Sequence, residues 1–373
     1  MNTPQADGFR MPGEFEKHSR TWMAFPYRPD NWRENAKFAQ ETVCKLAGLI
    51  SEYEEVTMLV PRKYAYTVPK MLSPDVKIVA LDTDDAWVRD TGALFVTDGK
   101  EIRGVSFDFN AWGGVEGGLY PSWDLDSKVG EHMCAIQNVP MYKNNGFVLE
   151  GGSVHVDGEG TLITTEECLL SIGRNYHMSK KEIEVVLKTN FNVQKIVWLP
   201  YGVVDDETNG HVDNMCCFAR PGEVLLAWTD DIKNPQYERS KRAYNVLSTS
   251  RDAKGRSFII HKIHIPQDMH ITQEESDGIV RGHTPRVTGD RLAASYVNFI
   301  MPNGAIIYPT FGDDTYDELA RKKFEEIFPE RKIIGFYSRE LLLGGGNIHC
   351  LTMQQPSIYR INQIFSSWSQ MTM

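Results

Sequence analysis

The chain has 373 residues, 41% of them hydrophobic and 24% charged, which fits one large globular domain or two ordinary ones. Fifty acidic against forty basic side chains give a formal net charge of −10, so the basic footprint of a nucleic-acid binder is missing; such a surface serves solubility first and can also steer a cationic substrate inward. No apolar run approaches the ~18 residues of a membrane span.

The stretch Met1–Met11 is polar, without the apolar core of a signal peptide, and the cytoplasm is the expected location. Six cysteines (Cys44, Cys134, Cys168, Cys216, Cys217, Cys350) form no Cys-x-x-Cys pair, which argues against a zinc ribbon or a thioredoxin-like motif and for free, mostly buried thiols.

From the N-terminus, Thr21–Phe25 reads as a strand, Asn31–Tyr53 as a helix and Val56–Val60 as a strand. Ala93–Phe109, Ser153–Thr165, Asp213–Trp228 and Ala294–Pro309 read as hairpins. They turn on Asp98-Gly99, Asp157-Gly158, Pro221-Gly222 and Asn303-Gly304, the local signal for paired strands. Helical patterns follow at Ser127–Gln137, Ser179–Thr189, Pro235–Ser248 and Thr315–Ile327. Short apolar strands come next at Lys195–Leu199, Phe258–Ile265 and Lys332–Tyr337. The repeating unit is strand-strand-helix-strand, and a fifth assembles from the ends if Asn347–Met353 pairs near Thr21–Phe25. The expectation is an α/β ring in one domain over residues 1–373, with no open sheet edges.

Unusual polar residues stand where the hairpins begin. In Asp84–Gly92, Trp87 precedes Asp90 by three; Asp90 and Asp213 together suit a guanidinium, with an indole against the cation, although an Asp90–Arg89 surface pair fits equally. Glu150 follows an apolar run and precedes two glycines; a buried carboxylate there needs a partner, for which His211 is suited. In Asp206–Asn214, His211 and Asp213 are two apart, one face of a strand, and an imidazole is a proton carrier near neutrality. In Leu343–Cys350, three glycines ending at Gly346 permit close backbone approach to a ligand. Cys350 follows, expected to enter a strand as a held nucleophile; a core cysteine after a flexible turn has the same pattern. His349 is expected on the opposite strand face in a structural role. The inventory is one thiol, one imidazole and three carboxylates without a basic anchor.

These stretches resemble the agmatine deiminases of the pentein, or guanidino-group-modifying, superfamily. The likeness runs from Met11–Glu16 and Thr21–Pro26 to Gly344–Pro356, strongest at Trp87–Gly92, Glu150–Ser153, Asn209–Asp213 and Gly344–Cys350. Ala93 stands where that family commonly has proline, and Met353 where glutamine is more usual. The resemblance implies a five-bladed α/β propeller of ββαβ repeats. It implies Cys350 as nucleophile, His211 as general acid/base, Glu150 as its orienting partner, and Asp90 and Asp213 as guanidinium ligands. Trp87, Glu207 and Gly346 would lie along the substrate, and no metal or organic cofactor is implied. Agmatine is the implied substrate, with free arginine and a catalytically silent guanidine binder as alternatives; a homo-oligomer is left open. A papain-like protease would need an oxyanion hole and an asparagine partner rather than paired carboxylates around its thiol.

Overall fold

The expected hairpins turn on glycines of positive φ: 87° at Gly99, 69° at Gly158, 81° at Gly222 and 78° at Gly304. A residue without Cβ enters that region freely, which is why these dipeptides punctuate the chain. The computed structural model describes residues 2–358; Met1 and residues 359–373, the remainder of the expected single domain, lie outside the described residues.

Three hairpins form as antiparallel pairs: Leu94–Thr97 with Ile102–Asp108, Val154–Val156 with Thr161–Thr165, and Cys216–Arg220 with Glu223–Trp228. Helices Val129–Gln137, Lys180–Phe191 and Gln236–Thr249 follow them. Each helix leads to a third strand parallel to the second: Met141–Val148, Lys195–Leu199 and Ile259–His264. Parallel neighbours require such a crossover. Helix Lys180–Phe191 shows how sequence fixes one of them. Ser179 and Glu182 form a reciprocal capping box at its start, and Ile183, Leu187 and Phe191 line its buried face.

The fourth unit is reduced. Ala305–Thr310 pairs in parallel with Lys332–Tyr337 across helix Asp314–Ile327, but the other hairpin arm is only a bridge between Ile300 and Ile307. The segment before it is engaged elsewhere: Ser295 Oγ donates to Asn214 O at 2.7 Å, and the Asn298 side chain reaches His349 and Cys350.

The ends of the described chain share the fifth sheet. Thr352–Pro356 lies antiparallel to His18–Ala24, which runs parallel to Glu55–Val60, followed by Val76–Ala80. The predicted strand over Asn347–Met353 is therefore corrected: it begins at Thr352, and Ile348–Leu351 are turns. Gly345 (φ 101°) redirects the backbone, and Asn347 O accepts the amide of Leu351 at 3.3 Å.

First strands of neighbouring units touch, Thr352–Pro356 against Leu94–Thr97 and Val154–Val156 against Cys216–Arg220. Five connecting segments thereby gather: Val88–Thr91, Gly151–Ser153, Val212–Asn214, the Ser295–Asn298 stretch and Gly344–Cys350. Among the described residues, no helix is long and apolar enough to cross a membrane.

Candidate active site

Each of the five segments brings a polar side chain to one buried place. Asp90, Glu150, His211, Asp213, Asn298 and Cys350 are all buried there. His211 and Asp213 flank or occupy a single 3-10 turn, Val212–Asn214, rather than a strand; the turn, not strand alternation, puts both inside.

Gly152 is the closest marker of the centre. A Cβ added there would lie 2.5 Å from His211 Nδ1, 2.9 Å from Asp213 Oδ2 and 3.0 Å from Asp90 Oδ1. Asp213 Oδ2 is 3.7 Å from Cys350 Sγ. Asn298 Nδ2 is 3.3 Å from the same sulfur, and Asn298 Oδ1 accepts the amide of His349 at 3.0 Å. Asn298 is thus the contribution of the fourth unit, which no sequence signal marked.

The two aspartates are held differently. Asp90 Oδ1 accepts the Gly152 amide at 3.0 Å, and Oδ2 accepts the indole of Trp112 at 2.9 Å. Burial, with Asp213 and Glu150 nearby, pushes its pKa up to about 6, against a downward pull from His211. Asp213 goes the other way: burial opposes its charge, but His349, with Nδ1 at 2.9 Å from Oδ2, lowers the carboxyl. His349 Nε2 faces Glu14 Oε2 at 2.8 Å. Flanked by two carboxylates, this imidazole has its pKa raised despite burial and Arg89. The expected opposite-face placement of His349 is therefore corrected: in a turn, His349 and Cys350 both reach Asp213.

Glu150 is fully buried, and its nearest cation is Arg174, Nε to Oε1 2.7 Å, without hydrogen-bond alignment; His211 Nε2 lies 3.8 Å from Oε2. Burial opposes its charge, but Arg174 and His211 bring the carboxyl down to about 2. The expectation of no basic anchor fails here, because Arg174 sits in an aperiodic loop that gives no sequence signal. For His211, burial disfavours charge, yet Asp90, Cys168 and Glu150 raise it well above the ordinary histidine value. Burial, then Asp213 and Asp90, push the Cys350 thiol well up.

Several of these atoms lack hydrogen-bond partners: both ring nitrogens of His211, both oxygens of Glu150, and Asp213 Oδ1. Buried polar groups without hydrogen bonds are uncommon, and a catalytic or ligand-binding centre is one place where they occur. The arrangement can accept a planar cation between carboxylates beside a thiol.

A narrow cleft lies beside these residues, lined by Trp87, Trp112, Glu207 and Arg286 among others. Trp87 stacks on Trp32 at 5.2 Å, and Asp85 accepts both indole N–H groups. Gly346 lets the chain pass this wall, since a Cβ there would meet Trp87 at 2.6 Å and the Cys350 Cβ at 3.0 Å. Arg89, a candidate surface partner of Asp90, is instead buried behind the site, with Nε donating to His349 O at 3.2 Å.

Two groups have ligand atoms close enough to share a metal ion, Glu14–His155–His349 and Glu150–Cys168–His211. In each, an arginine already lies against the carboxylate, Arg89 at 4.0 Å from Glu14 and Arg174 at 2.7 Å from Glu150. All six cysteines are free and buried.

Residues 10–356 match the model of the Porphyromonas-type peptidyl-arginine deiminase family. An agmatine deiminase of Pseudomonas aeruginosa (strain LESB58) is 52% identical over 360 residues, 95% of this chain and 98% of that protein. An agmatine deiminase of Pseudomonas syringae pv. tomato is 51% identical over 363 residues, 96% and 98% of the two. Among solved structures, the agmatine deiminase of Enterococcus faecalis superimposes with a TM-score of 0.93 at 44% identity, covering 96% of this chain and 99% of that one.

Proposed function

Because the chain belongs to the Porphyromonas-type peptidyl-arginine deiminase family, we propose that it hydrolyses the guanidinium of agmatine to N-carbamoylputrescine and ammonia. The carrying observation is the cluster of buried titratable groups, His211, Glu150, Asp213 and Asp90, several of their polar atoms without hydrogen bonds, close to the Cys350 thiol. Relatives of about half identity over nearly the whole chain support agmatine as the substrate. The five ββαβ units read as blades of a closed propeller, one domain whose hub is the site. A cytoplasmic setting and a role in polyamine supply belong to the same reading.

The steps follow from the geometry. A guanidinium entering between Asp90 and Asp213 meets two carboxylate edges, one of them, Oδ1 of Asp213, without a partner. Its charge offsets the two aspartates that hold the Cys350 thiol up, so the thiol releases its proton to solvent as substrate arrives and the sulfur is left as the thiolate. The thiolate attacks the central carbon, forming a C–S bond. His211, kept protonated by its carboxylate neighbours, gives its proton to the nitrogen that leaves as ammonia. The remaining thiouronium is attacked by water, with His211 now as base, and the C–S bond breaks to leave the ureido product. Glu150, fixed by Arg174, keeps the imidazole charged and oriented. Orientation of this kind is worth up to about 7–11 kcal/mol.

Mass spectrometry of the protein mixed with agmatine tests the reading. The expected result is the ureido product together with a thiouronium-sized mass increase on the peptide carrying Cys350. Ammonia release that persists in a Cys350→Ala preparation would rule the mechanism out.

A further inference from the structure

The consecutive glycines that lead to Cys350 face different neighbours. A Cβ on Gly346 would press on Trp87 and Cys350, at the reacting end. On Gly345 it would run into Glu207 and, at 2.7 Å, Arg286 Nη2. The Glu207–Arg286 pair therefore sits one residue outward from the thiol's wall, in the cleft that Trp87 also lines. Trp87 thus stands both against the wall beside the thiol and on the cleft that holds the pair.

The pair is bidentate: Arg286 Nη1 donates to Glu207 Oε1, and Nη2 to Oε2 at 2.7 Å. Arg286 has independent supports. Its Nε and Nη2 donate to Asn31 Oδ1 at 3.2 and 2.9 Å, and Nη2 donates to Gly344 O at 2.8 Å. Its side chain is nearly enclosed, whereas that of Glu207 is 31% exposed. The other arginine lining this cleft, Arg28, is occupied by Asp30 at 2.7 and 3.1 Å.

Agmatine and free arginine differ at the end remote from the guanidinium: the last carbon bears an ammonium in one, and an ammonium plus a carboxylate in the other. We propose that the Glu207–Arg286 pair is the element that selects agmatine over free arginine, with Arg286 a carboxylate receptor masked by Glu207. The inference rests on the reading of Cys350 as the nucleophile of a guanidine hydrolase. Glu207 offers its exposed edge to an ammonium and meets an α-carboxylate with like charge. It also fills the fork that would bind that carboxylate. With Glu207 truncated, Asn31 and the Gly344 carbonyl keep the guanidinium in place. An incoming carboxylate then takes the position of the one removed.

Steady-state kinetics on agmatine and arginine, for wild type, Glu207→Ala, Glu207→Gln and Glu207→Ala/Arg286→Gln, test this. Expected is a fall of about 100-fold in kcat/KM for agmatine in Glu207→Ala, mostly through KM. For arginine the same variant gains about tenfold or more, and the double variant loses that gain. Glu207→Gln, which removes charge but keeps volume, shows a smaller arginine gain and gives the reading should Glu207→Ala not fold. Absence of any arginine gain in a folded single variant, or a gain that survives loss of Arg286, overturns the proposal. A wild type active on agmatine with no such gain defeats this inference alone; a wild type silent on agmatine defeats the underlying reading with it.

Discussion

The floor and the mouth of this cleft use the same residue types in opposite ways. At the mouth, charged groups are matched: Glu207 with Arg286, Asp30 with Arg28, and Asp85 with two indoles. On the floor, His211, Glu150 and Asp213 keep buried atoms without hydrogen bonds, and Asp90 is crowded by two other carboxylates. Matched charges hold a shape and sort what enters. Unmatched ones are costly until a cation arrives, which is when their energy serves the reaction. On the proposed reading, the difference separates selection from chemistry along one passage.

The floor should therefore be far more sensitive than the mouth. Cys350→Ala removes the proposed nucleophile without touching the mouth; turnover should fall by roughly 10⁴-fold or more, with agmatine still bound by calorimetry. Arg174→Met leaves Glu150 buried without its nearest cation. Urea unfolding at pH 7 should show a loss of about 3–5 kcal/mol, partly restored in Arg174→Met/Glu150→Gln, whereas an unchanged midpoint would break the contrast. Gly152→Ala adds a methyl 2.5 Å from His211 Nδ1 at a position of ordinary φ. It should cost about 100-fold in kcat by moving the imidazole, with the thermal midpoint nearly unchanged.

The pH profile sharpens the same contrast. Asp90 must be ionised to bind a cation, and its pKa is raised to about 6 in the free protein. Below that value it is protonated, so binding agmatine must expel a proton. Affinity in Cys350→Ser should then fall by about tenfold per pH unit below 6 and level off above it; a flat profile between pH 5 and 7 would contradict the assignment. Smallest of all, Asp30→Asn at the mouth should change kcat/KM less than about fivefold.

The first strands and their turns were legible because Asp-Gly, Pro-Gly and Asn-Gly announce a positive φ within a few residues. Lys195–Leu199 and Lys332–Tyr337 were readable to the residue because each is a short apolar run following a helical pattern. The fourth hairpin was not, since Ser295 and Asn298 spend their hydrogen bonds on Asn214, His349 and Cys350, and such a diversion leaves no periodicity. In the site, Cys350, His211, Asp213, Glu150 and Asp90 stood out because polar residues beside glycines or after apolar runs are unusual. Arg174, Trp112, Asn298 and Arg286 did not. They come from aperiodic loops, and an arginine's burial depends on partners that are far away in the chain. The strand rule misjudged His349 because the chain turns at Asn347–Leu351 before any pleat begins.

Trp22 pairs with Met353 in the fifth sheet, and Cys350, the proposed nucleophile, lies just before that closing strand. On a ribosome, Cys350 is thus made after the other residues of the candidate site, and the strand that seats it after Cys350. Joining segments so distant in the chain is a slow, entropically demanding event. A nascent polypeptide would carry its aspartates, glutamate and imidazole in place while remaining inert, and the capacity to cleave guanidines would switch on with the last tertiary contact rather than grow with length.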